Sequence, residues 1–455
     1  MSKIKKLSLI LLLGIFIIIP LVSFGSEENV EIIEDLKKEL LPTLKKEKYK
    51  ENQVIVKYKK EKIDLNKNED KKLAKELEKN KELESAGEIT KMNIKLLKSK
   101  SKTTEELITE LEKDSNVEYV EPNYTRDLTY TPNDTNLNSQ WGLNNIGQTG
   151  GTTDADIDAF EAWNVEIVGN EIIVAVIDTG ARYTHEDLAN NMWDGSAGCN
   201  DENNNPISGG CPNHGWDFEN GDNDPMDEHG HGTFISGVIA GESNNSKGVS
   251  GMSRYNKIKI MPLRFGLDIF TEIKAINFAK NNGAKVINAS FGGGASSLEK
   301  DAIDAFPGIF VAAAGNGGAD LIGDDIDVIE FAPCDYTSAN IICVTATDDD
   351  DILTSFSNYG IISVDLAAPG SGIFSASVSG DTLYTSGSGT SYAAPYVVGA
   401  TALAIKQFPA KSLSEIKSLV VNSGDSLPSL SGKTVSGKRL NLNSLINDTA
   451  PPTLS

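Results

Sequence analysis

Five short, almost continuously apolar segments run through the middle and C-terminal parts of this chain and leave few choices of fold. Segments with helical periodicity lie among them, at 271–281 and from 391 to about 406. Strands that are apolar on both faces belong in a parallel sheet covered by helices. We therefore predict an α/β fold with a mostly parallel sheet and helices on both faces. The apolar segments are EIIVAVID (171–178), KIKIMPL (257–263), KVINAS (285–290), IFVAAAG (309–315) and IICVTAT (341–347).

Polar side chains stand where three of these strands end. Asp178 closes the first strand, Ser290 closes the third, and Asn316 follows the fourth. Sites in such sheets form at the carboxyl ends of the strands. A carboxylate at the end of so apolar a strand is costly without hydrogen bonds, so Asp178 is expected to have a fixed partner.

Ser391 lies in the glycine-rich segment SGSGTSYAAP (386–395), directly before a helical pattern. Small residues with helical spacing follow Ser391, and Pro395 is close enough to the first turn to be tolerated. A hydroxyl at a helix start lies beside unpaired N–H groups, which suits a nucleophile whose reaction creates an oxyanion. The competing interpretation is a serine in a flexible connector.

A serine nucleophile needs a base, and the chain has only four histidines. His231 lies in DEHGHGTFISG (227–237), where a loop again enters a helical segment. Two alternatives compete with a catalytic role: a structural histidine, and a metal site formed by the His-Gly-His pair beside Asp227.

Asp178, His231 and Ser391 occur in the chain order of the subtilisin triad. Over about residues 140–446 the sequence resembles the subtilisin-like serine peptidases, or subtilases. The resemblance implies that Ser391 is the nucleophile, that His231 is its base, and that Asp178 orients the imidazole. It rests mainly on the separated motifs VAVIDTG, HGHGTFISG, NNSKGV, INASFGG, AAAGNGG, SFSNYG, LAAPG and SGTSYAAP.

The same resemblance implies two further parts of an active site. Asn316, in AAAGNGG, matches the side-chain oxyanion donor of the family; a turn residue is the alternative. The segment at 290–293 matches the edge along which a peptide substrate adds as a strand. Its residues are Ser290, Phe291, Gly292 and Gly293.

The segment SNNSKGV (243–249) resembles a family calcium loop, which implies Ca²⁺ as a structural cofactor. Oxygen-only ligation suits this ion, whereas an asparagine-rich surface loop is the alternative. Side-chain oxygens of Asp187, Asn245 and Gln140 are implied, with backbone carbonyls of Ser243, Lys247 and Val249. A second acidic cluster is either a further ion site or a solvated charge run. It contains Asp217, Asp222, Asp224 and Asp227.

The N-terminal third differs from the rest of the chain in its sequence pattern. Residues 1–25 contain early lysines and the apolar stretch Leu7–Phe24, which predicts a signal peptide; an uncleaved membrane anchor is the alternative. Strand and helix patterns at about 50–124 predict a small α+β domain. It resembles the inhibitory propeptide of the family, with an unrelated ferredoxin-like domain as the alternative.

These boundaries divide the chain into a signal peptide (1–25), a propeptide (26–124), a processing linker (125–139), a catalytic domain (140–446) and a tail (447–455). Charge follows the division, because residues 131–455 carry 16 Lys and Arg against 40 Asp and Glu. So acidic a surface argues against nucleic acid as a partner.

The four cysteines form two pairs that are close in sequence. In an exported chain we expect two local disulfides, although four cysteines allow three connectivities. A zinc site is the competing interpretation. The cysteines are Cys199, Cys211, Cys334 and Cys343.

Together these features predict a secreted, self-processing serine endopeptidase that is monomeric, extracellular or cell-surface associated, and acts on polypeptides. Its own propeptide is expected to be its intramolecular inhibitor. The alternatives are a non-catalytic binding protein that keeps the fold and a membrane-anchored processing protease.

Overall fold

A computed structural model describes residues 49–125, 130–167 and 169–448, which form two compact units, one on each side of residues 126–129. The predicted signal peptide lies outside the described residues, as do the start of the predicted propeptide and the end of the tail. In the described part, no helix is long and apolar enough to cross a membrane.

The first unit has the element order βαββαβ. Its antiparallel sheet has the strand order β2-β3-β1-β4, which is the ferredoxin-like arrangement. The core contains Val54, Val56, Leu97 and Leu107. Its elements are β1 (Tyr49–Tyr58), α1 (Asn68–Asn80), β2 (Leu83–Ile89), β3 (Ile94–Ser99), α2 (Thr104–Leu111) and β4 (Val117–Tyr124).

Local sequence explains most of this unit. Thr103 and Glu106 form the capping box that the sequence suggested at the start of α2. Strand β2 was not predicted, because all of its residues after Leu83 are exposed and show no apolar alternation. Its backbone pairing with β3 holds it at the edge of the sheet.

The second unit is built on a nine-stranded sheet with the order β14-β15-β11-β10-β9-β8-β5-β7-β6, parallel except for the β14–β15 pair. A separate hairpin pairs β12 with β13. The strands are β5 (Ile172–Asp178), β6 (Trp216–Asp217), β7 (Ile258–Arg264), β8 (Val286–Ala289), β9 (Ile309–Ala313), β10 (Ile341–Thr347), β11 (Leu366–Pro369), β12 (Ile373–Ala376), β13 (Tyr384–Gly387), β14 (Asp425–Ser426) and β15 (Lys438–Arg439).

Helices cover both faces of this sheet, as predicted. One core cluster packs α4 and α7 on one face, and a second cluster packs α5 and α6 on the other. Alternate residues of β5 enter the two clusters, with Val174 in the first and Ala175 in the second. The helices are α3 (Ala159–Ala162), α4 (His231–Ala240), α5 (Ile269–Asn281), α6 (Ser297–Asp304), α7 (Thr390–Gln407), α8 (Leu413–Asn422) and α9 (Leu442–Ile446).

Both predicted disulfides are present. Cys199 is bonded to Cys211, and Cys334 is bonded to Cys343. The zinc alternative for these cysteines was therefore wrong. The first bond closes an exposed loop, whereas the second ties the segment after Pro333 to strand β10.

Candidate active site

Strand β5 ends at Asp178, whose side chain is only 3% exposed. Both of its carboxylate oxygens face Nδ1 of His231, at 2.9 and 3.0 Å, and the backbone N–H of Thr179 donates to Oδ1 at 2.7 Å. These bonds provide the fixed partner that a buried carboxylate requires. They also define the histidine tautomer, because Nδ1 must carry the proton and Nε2 then keeps its lone pair.

His231 is the first residue of α4, and the buried carboxylate of Asp227 holds the turn before it. Asp227 accepts hydrogen bonds from the backbone N–H groups of His229, Gly230 and Thr233. It also accepts from the hydroxyls of Thr179 and Thr233, at 3.0 and 2.6 Å. Asp227 therefore links Thr179, at the end of β5, to the first turn of α4. Its single carboxylate fixes the backbone beside both Asp178 and His231.

The surroundings of His231 act on its pKa in opposite directions. Burial favours the neutral imidazole, whereas the charge and hydrogen bond of Asp178 and the charge of Asp227 favour the imidazolium. The carboxylates prevail, so the pKa of His231 is raised above its ordinary value. Such a residue is a stronger proton acceptor than a free imidazole.

Ser391 is the second residue of α7, close to the histidine. The ring of its neighbour Tyr392 lies 5.7 Å from the ring of His231, centre to centre. Oγ of Ser391 donates to the carbonyl of Ser290 at 3.1 Å. Hydrogen bonds between catalytic groups are often incomplete without substrate, so this bond to Ser290 is compatible with a catalytic role for the hydroxyl.

A proline one turn further on leaves the carbonyl of Ser391 without its usual helical partner. That partner would be the N–H of residue 395, which is proline and has none. Instead, Oγ of Ser290 donates to this carbonyl at 2.9 Å, and Nδ2 of Asn288 donates to Oγ of Ser290 at 3.0 Å. Ser290 and Ser391 are thus joined by two hydrogen bonds across 101 residues of sequence.

The side chain of Asn316 is oriented by Thr390. Backbone N–H and hydroxyl groups of Thr390 both bond the Asn316 side-chain oxygen, at 2.8 and 3.1 Å. Since a backbone N–H can only donate, the atom facing it must be Oδ1, and the exposed amide group Nδ2 points elsewhere. A donor is therefore held near the N-terminus of α7, where the backbone N–H groups also face outward.

The segment Ser290–Gly293 leaves the end of β8 and is paired on one side only. Gly293 and Ala332 exchange two backbone hydrogen bonds, each of 2.8 Å. Phe291 packs against Phe265, with ring centres 4.7 Å apart. The adjacent aromatic residue Phe331 was not singled out from the sequence, because its position depends on a contact between distant segments.

The residues of the predicted calcium loop are only partly brought together. The buried carboxylate of Asp187 accepts from Nδ2 of Asn245 and from the N–H of Val249, both at 2.7 Å, and from the Tyr384 hydroxyl at 2.8 Å. Gln140 instead exchanges two hydrogen bonds with the backbone of Ser250. The other predicted residues lie in the same loop: Ser243 bonds Ser253 through its hydroxyl, and Lys247 pairs with Glu186.

Sequence reasoning missed Asp134 beside this loop. It is 6% exposed and accepts from the N–H groups of Asn244 and Asn245, at 2.9 and 3.2 Å. Burial raises its pKa, and the nearby charge of Asp187 adds to the effect. The only available signal was an acidic residue in a polar stretch, which says nothing about burial.

The second acidic cluster divides into two kinds of residue. Asp217 and Asp227 are buried and hydrogen-bonded within the protein, and Asp217 also faces Arg264 at 3.4 Å. Asp222 and Asp224 are exposed. Within the described ranges, no group of three or more His, Cys, Asp or Glu side chains is arranged to hold a metal ion.

Comparison with known proteins gives matches to both units. The profile of the Subtilase family matches residues 169–442, and that of the Fervidolysin N-terminal prodomain matches residues 36–123.

Two curated relatives are similar over about two thirds of the chain. A thermophilic serine proteinase of Bacillus sp. (strain AK1) is 37% identical over 299 residues, which is 64% of this chain and 64% of that protein. Thermitase of Thermoactinomyces vulgaris is 33% identical over 308 residues, which is 66% of this chain and 93% of the relative. Among solved structures, a protease of Pseudoalteromonas arctica superposes with a TM-score of 0.54 at 27% identity, covering 70% of this chain and 99% of that one.

Proposed function

Since the chain belongs to the subtilase family of serine proteases and carries a prodomain of the fervidolysin type, we propose that it is a secreted, self-processing serine endopeptidase. The observation that carries the proposal is the pairing of His231 Nδ1 with both carboxylate oxygens of Asp178, close to the helix start that bears Ser391. This arrangement prepares a histidine for proton transfer beside a serine hydroxyl.

In this proposal Oγ of Ser391 attacks the carbonyl carbon of the scissile peptide bond. Nε2 of His231 takes the hydroxyl proton and later gives it to the leaving amine, while Asp178 keeps Nδ1 protonated and stabilises the imidazolium. Water then hydrolyses the acyl-enzyme through the same histidine. Asp227 acts through His231 by holding the first turn of α4.

The negative charge of the tetrahedral intermediate falls on the former carbonyl oxygen. We assign its stabilisation to Nδ2 of Asn316 and to the backbone N–H of Ser391 at the positive end of α7. Thr390 supports this role by holding Asn316 Oδ1 and leaving Nδ2 to donate. Loss of one such donor lowers kcat by about 10² to 10³.

The substrates we propose are polypeptides, bound along Ser290–Gly293 by main-chain hydrogen bonds. The first would be the chain itself, cut between residues 123 and 139, with the ferredoxin-like unit as inhibitor until release. Export is supported by the N-terminal apolar segment and by two disulfides, which persist in oxidising compartments. The mature enzyme is proposed to be a monomer.

We further propose a structural calcium ion at the loop 243–249. Asp134 and Asp187 are neighbouring buried carboxylates, and a divalent cation would offset their repulsion. Side-chain oxygens of these residues and of Asn245, with carbonyls of Ser243, Lys247 and Val249, form the hard donor set that Ca²⁺ prefers. Because Gln140 is engaged twice with Ser250, Asp134 replaces it in this set.

The test is to express the chain from Ser26 in the presence of calcium, beside a Ser391→Ala variant, and to follow both masses over time. We expect the parent to lose its N-terminal unit and the variant to stay whole. Ser386→Ala is the matched control, because Ser386 is exposed and lies in the same glycine-rich segment. It should be processed like the parent.

The rival function is that of a binding protein that retains the fold without catalysis. It would be supported if the parent and Ser391→Ala both stayed intact and if added peptides also survived. Processing of Ser391→Ala at the parental rate would instead show that another protease makes the cut.

A further inference from the structure

The proposed oxyanion donor Asn316 lies in a segment without regular secondary structure. This segment follows the end of β9, and the residues on both sides of Asn316 are glycines with φ angles of 97° and 68°. Glycine readily adopts such a left-handed backbone, but it also leaves the chain free to move. The backbone of Asn316 is therefore not fixed by a helix or a strand, and its position must depend on contacts with other segments.

Asn358, from the motif SFSNYG, supplies such contacts on both sides of Asn316. Its side-chain amide donates to the carbonyl of Ala314 at 2.9 Å, and its backbone N–H donates to the carbonyl of Gly315 at 3.0 Å. The N–H of Gly317 in turn donates to Oδ1 of Asn358 at 2.8 Å. One residue thus holds the two residues before Asn316 and the one after it.

Asn358 is itself fixed within the protein. It is 3% exposed, and its Oδ1 also accepts from the N–H of Asp324 at 2.8 Å. The hydroxyl of Thr345, within strand β10, donates to its backbone carbonyl at 2.8 Å. A Cβ atom on Gly315 would lie 2.5 Å from Nδ2 of Asn358, so the amide packs directly against the segment that it holds. The position of Asn316 is thereby tied to the nine-stranded sheet.

We propose that Asn358 is a positioning residue for the oxyanion site, which acts through Asn316 and does not touch the substrate. This inference rests on the proposed protease function. Thr390 orients the side chain of Asn316, whereas Asn358 places its backbone. An oxyanion donor must lie within hydrogen-bond distance of the developing charge, and a misplacement of about 1 Å can cost about 10² in rate. Correct placement of Nδ2 therefore requires both partners.

The test is Asn358→Ala, assayed in the processed enzyme with a chromogenic tetrapeptide. We expect kcat to fall by about 10- to 100-fold, with KM kept within a few-fold. The substrate carries no oxyanion before the reaction, so its binding should change little. Asn358→Asp keeps an oxygen acceptor for the N–H groups of Gly317 and Asp324, and it should retain more of the parental kcat than Asn358→Ala.

A double-mutant cycle shows whether Asn358 acts through Asn316. Asn316→Ala alone should lower kcat by about 10² to 10³. Adding Asn358→Ala should lower kcat by no more than about twofold further, because the donor that Asn358 places is already gone. Asn358→Ser has too short a side chain to reach both Ala314 and Gly317, so it should give the same result and serves in the cycle if Asn358→Ala does not fold.

Asn340→Ala is the matched control. Asn340 also holds a loop, since its side-chain amide donates to the carbonyls of Ile303, Phe306 and Gly308. It directly precedes β10, at the end of the sheet opposite to Asn316. Its removal should lower stability and leave kcat and KM at their parental values.

The outcomes separate the two proposals. If the parent cleaves no peptide, the protease function fails, and the role of Asn358 fails with it. If the parent is active and the folded Asn358 variants keep the parental kcat, the protease stands and the role of Asn358 is overturned. A loss of kcat that is as large in the Asn316→Ala background as in the parent would also overturn it, because Asn358 would then act independently of Asn316.

Discussion

At the scale of single residues, Ser290 has a role that the sequence did not indicate. The motif predicts that it belongs to a substrate-binding edge, and in the structure its hydroxyl also replaces the hydrogen bond that Pro395 denies to the carbonyl of Ser391. It therefore holds the first turn of α7, which carries both the proposed nucleophile and one oxyanion donor. Ser290 is a positioning residue, since it acts through Ser391.

We expect Ser290→Ala to lower kcat by about five- to tenfold with little change in KM, because the partly buried carbonyl of Ser391 loses its donor, at the lower end of a cost of about 1 to 3 kcal/mol, and the helix start loosens. Stopped assays with a small peptide substrate would measure this. Ser290→Thr keeps a hydroxyl and should retain most of the activity. In Ser290→Ala/Pro395→Ala, the new N–H of residue 395 should restore kcat.

The double variant tests whether the lower kcat of Ser290→Ala comes from the missing hydrogen bond to the carbonyl of Ser391. Recovery of kcat ties the effect to the missing hydrogen bond, whereas a double variant as slow as Ser290→Ala would contradict this account. An unchanged kcat in Ser290→Ala alone would also contradict it.

Motifs led to the prediction of Asp178, His231, Asn316 and Ser391 as site residues, because each stands where a strand or loop meets a helix start or sheet end. The supporting contacts could not be predicted in the same way. Asp227 lies inside an acidic run that is equally consistent with a solvated, charged surface segment. Only the structure shows the five hydrogen bonds that its carboxylate accepts. Four of those bonds are local, from residues 229, 230 and 233, whereas the bond from Thr179 depends on the tertiary contact between β5 and α4.

At the scale of elements, helices α5 and α6 meet through two buried carboxyl groups. Glu272 on α5 is 3% exposed and Glu299 on α6 is 2% exposed. Burial, together with the charge and hydrogen bond of Glu299, raises the pKa of Glu272 far above its ordinary value. The Tyr336 hydroxyl donates to Glu299 at 2.6 Å, so we infer that Glu272 holds the proton of the pair.

A raised folded-state pKa makes stability fall as pH increases. Above about pH 4.5 the unfolded chain releases this proton while the folded protein keeps it, so the free energy of unfolding should decline from there up to the raised pKa. Glu272→Gln should remove most of this decline and be more stable than its parent at pH 8. Urea unfolding at pH 5 and pH 8, in a Ser391→Ala background that prevents autolysis, measures it.

Glu171→Gln is the control, because Glu171 is an exposed glutamate whose ion pair with Lys259 lies at the surface. Its stability should follow the parental pH dependence. A Glu272→Gln protein that declines as steeply as its parent between pH 5 and pH 8 would show that the pair is ionised in the fold.

The buried strands β5, β7, β8, β9 and β10 lie within one or two residues of their predicted bounds, because continuous apolar runs mark strands covered on both faces. Prediction failed for β2 and for α6, whose sequences are mainly polar. Such elements are defined by the partners they pair with or pack on, which a local pattern does not contain.

At the scale of the whole molecule, the proposed calcium ion would bind the folded catalytic unit and not the unfolded chain. Chelation should therefore lower the Tm of processed Ser391→Ala protein by several degrees, since a ligand at 100 times its Kd contributes about 3 kcal/mol. Scanning calorimetry with calcium and with EGTA measures the difference. Asp134→Asn should have a lower Tm with calcium and a smaller response to EGTA.

Asp222→Asn is the matched control, because Asp222 is an exposed acidic residue outside the loop. It should keep the parental response to chelation. Equal Tm values with and without calcium in the parent would exclude a stabilising ion at this site.

Composition and cysteine spacing predicted the two-unit organisation and both disulfides, because charge changes along the chain and each cysteine has a close neighbour. The position of Asn358 beside the segment of Asn316 could not be predicted in this way. It requires three segments, near 315, 324 and 358, to be placed together.

The bond between Cys199 and Cys211 has a consequence for an enzyme surrounded by copies of itself. The loop it closes is largely exposed between residues 202 and 209, and exposed loop tips are where proteases cut first. A single cleavage in this loop leaves the two resulting chain segments covalently joined through the disulfide. The molecule can thus be nicked by its neighbours at this loop without coming apart.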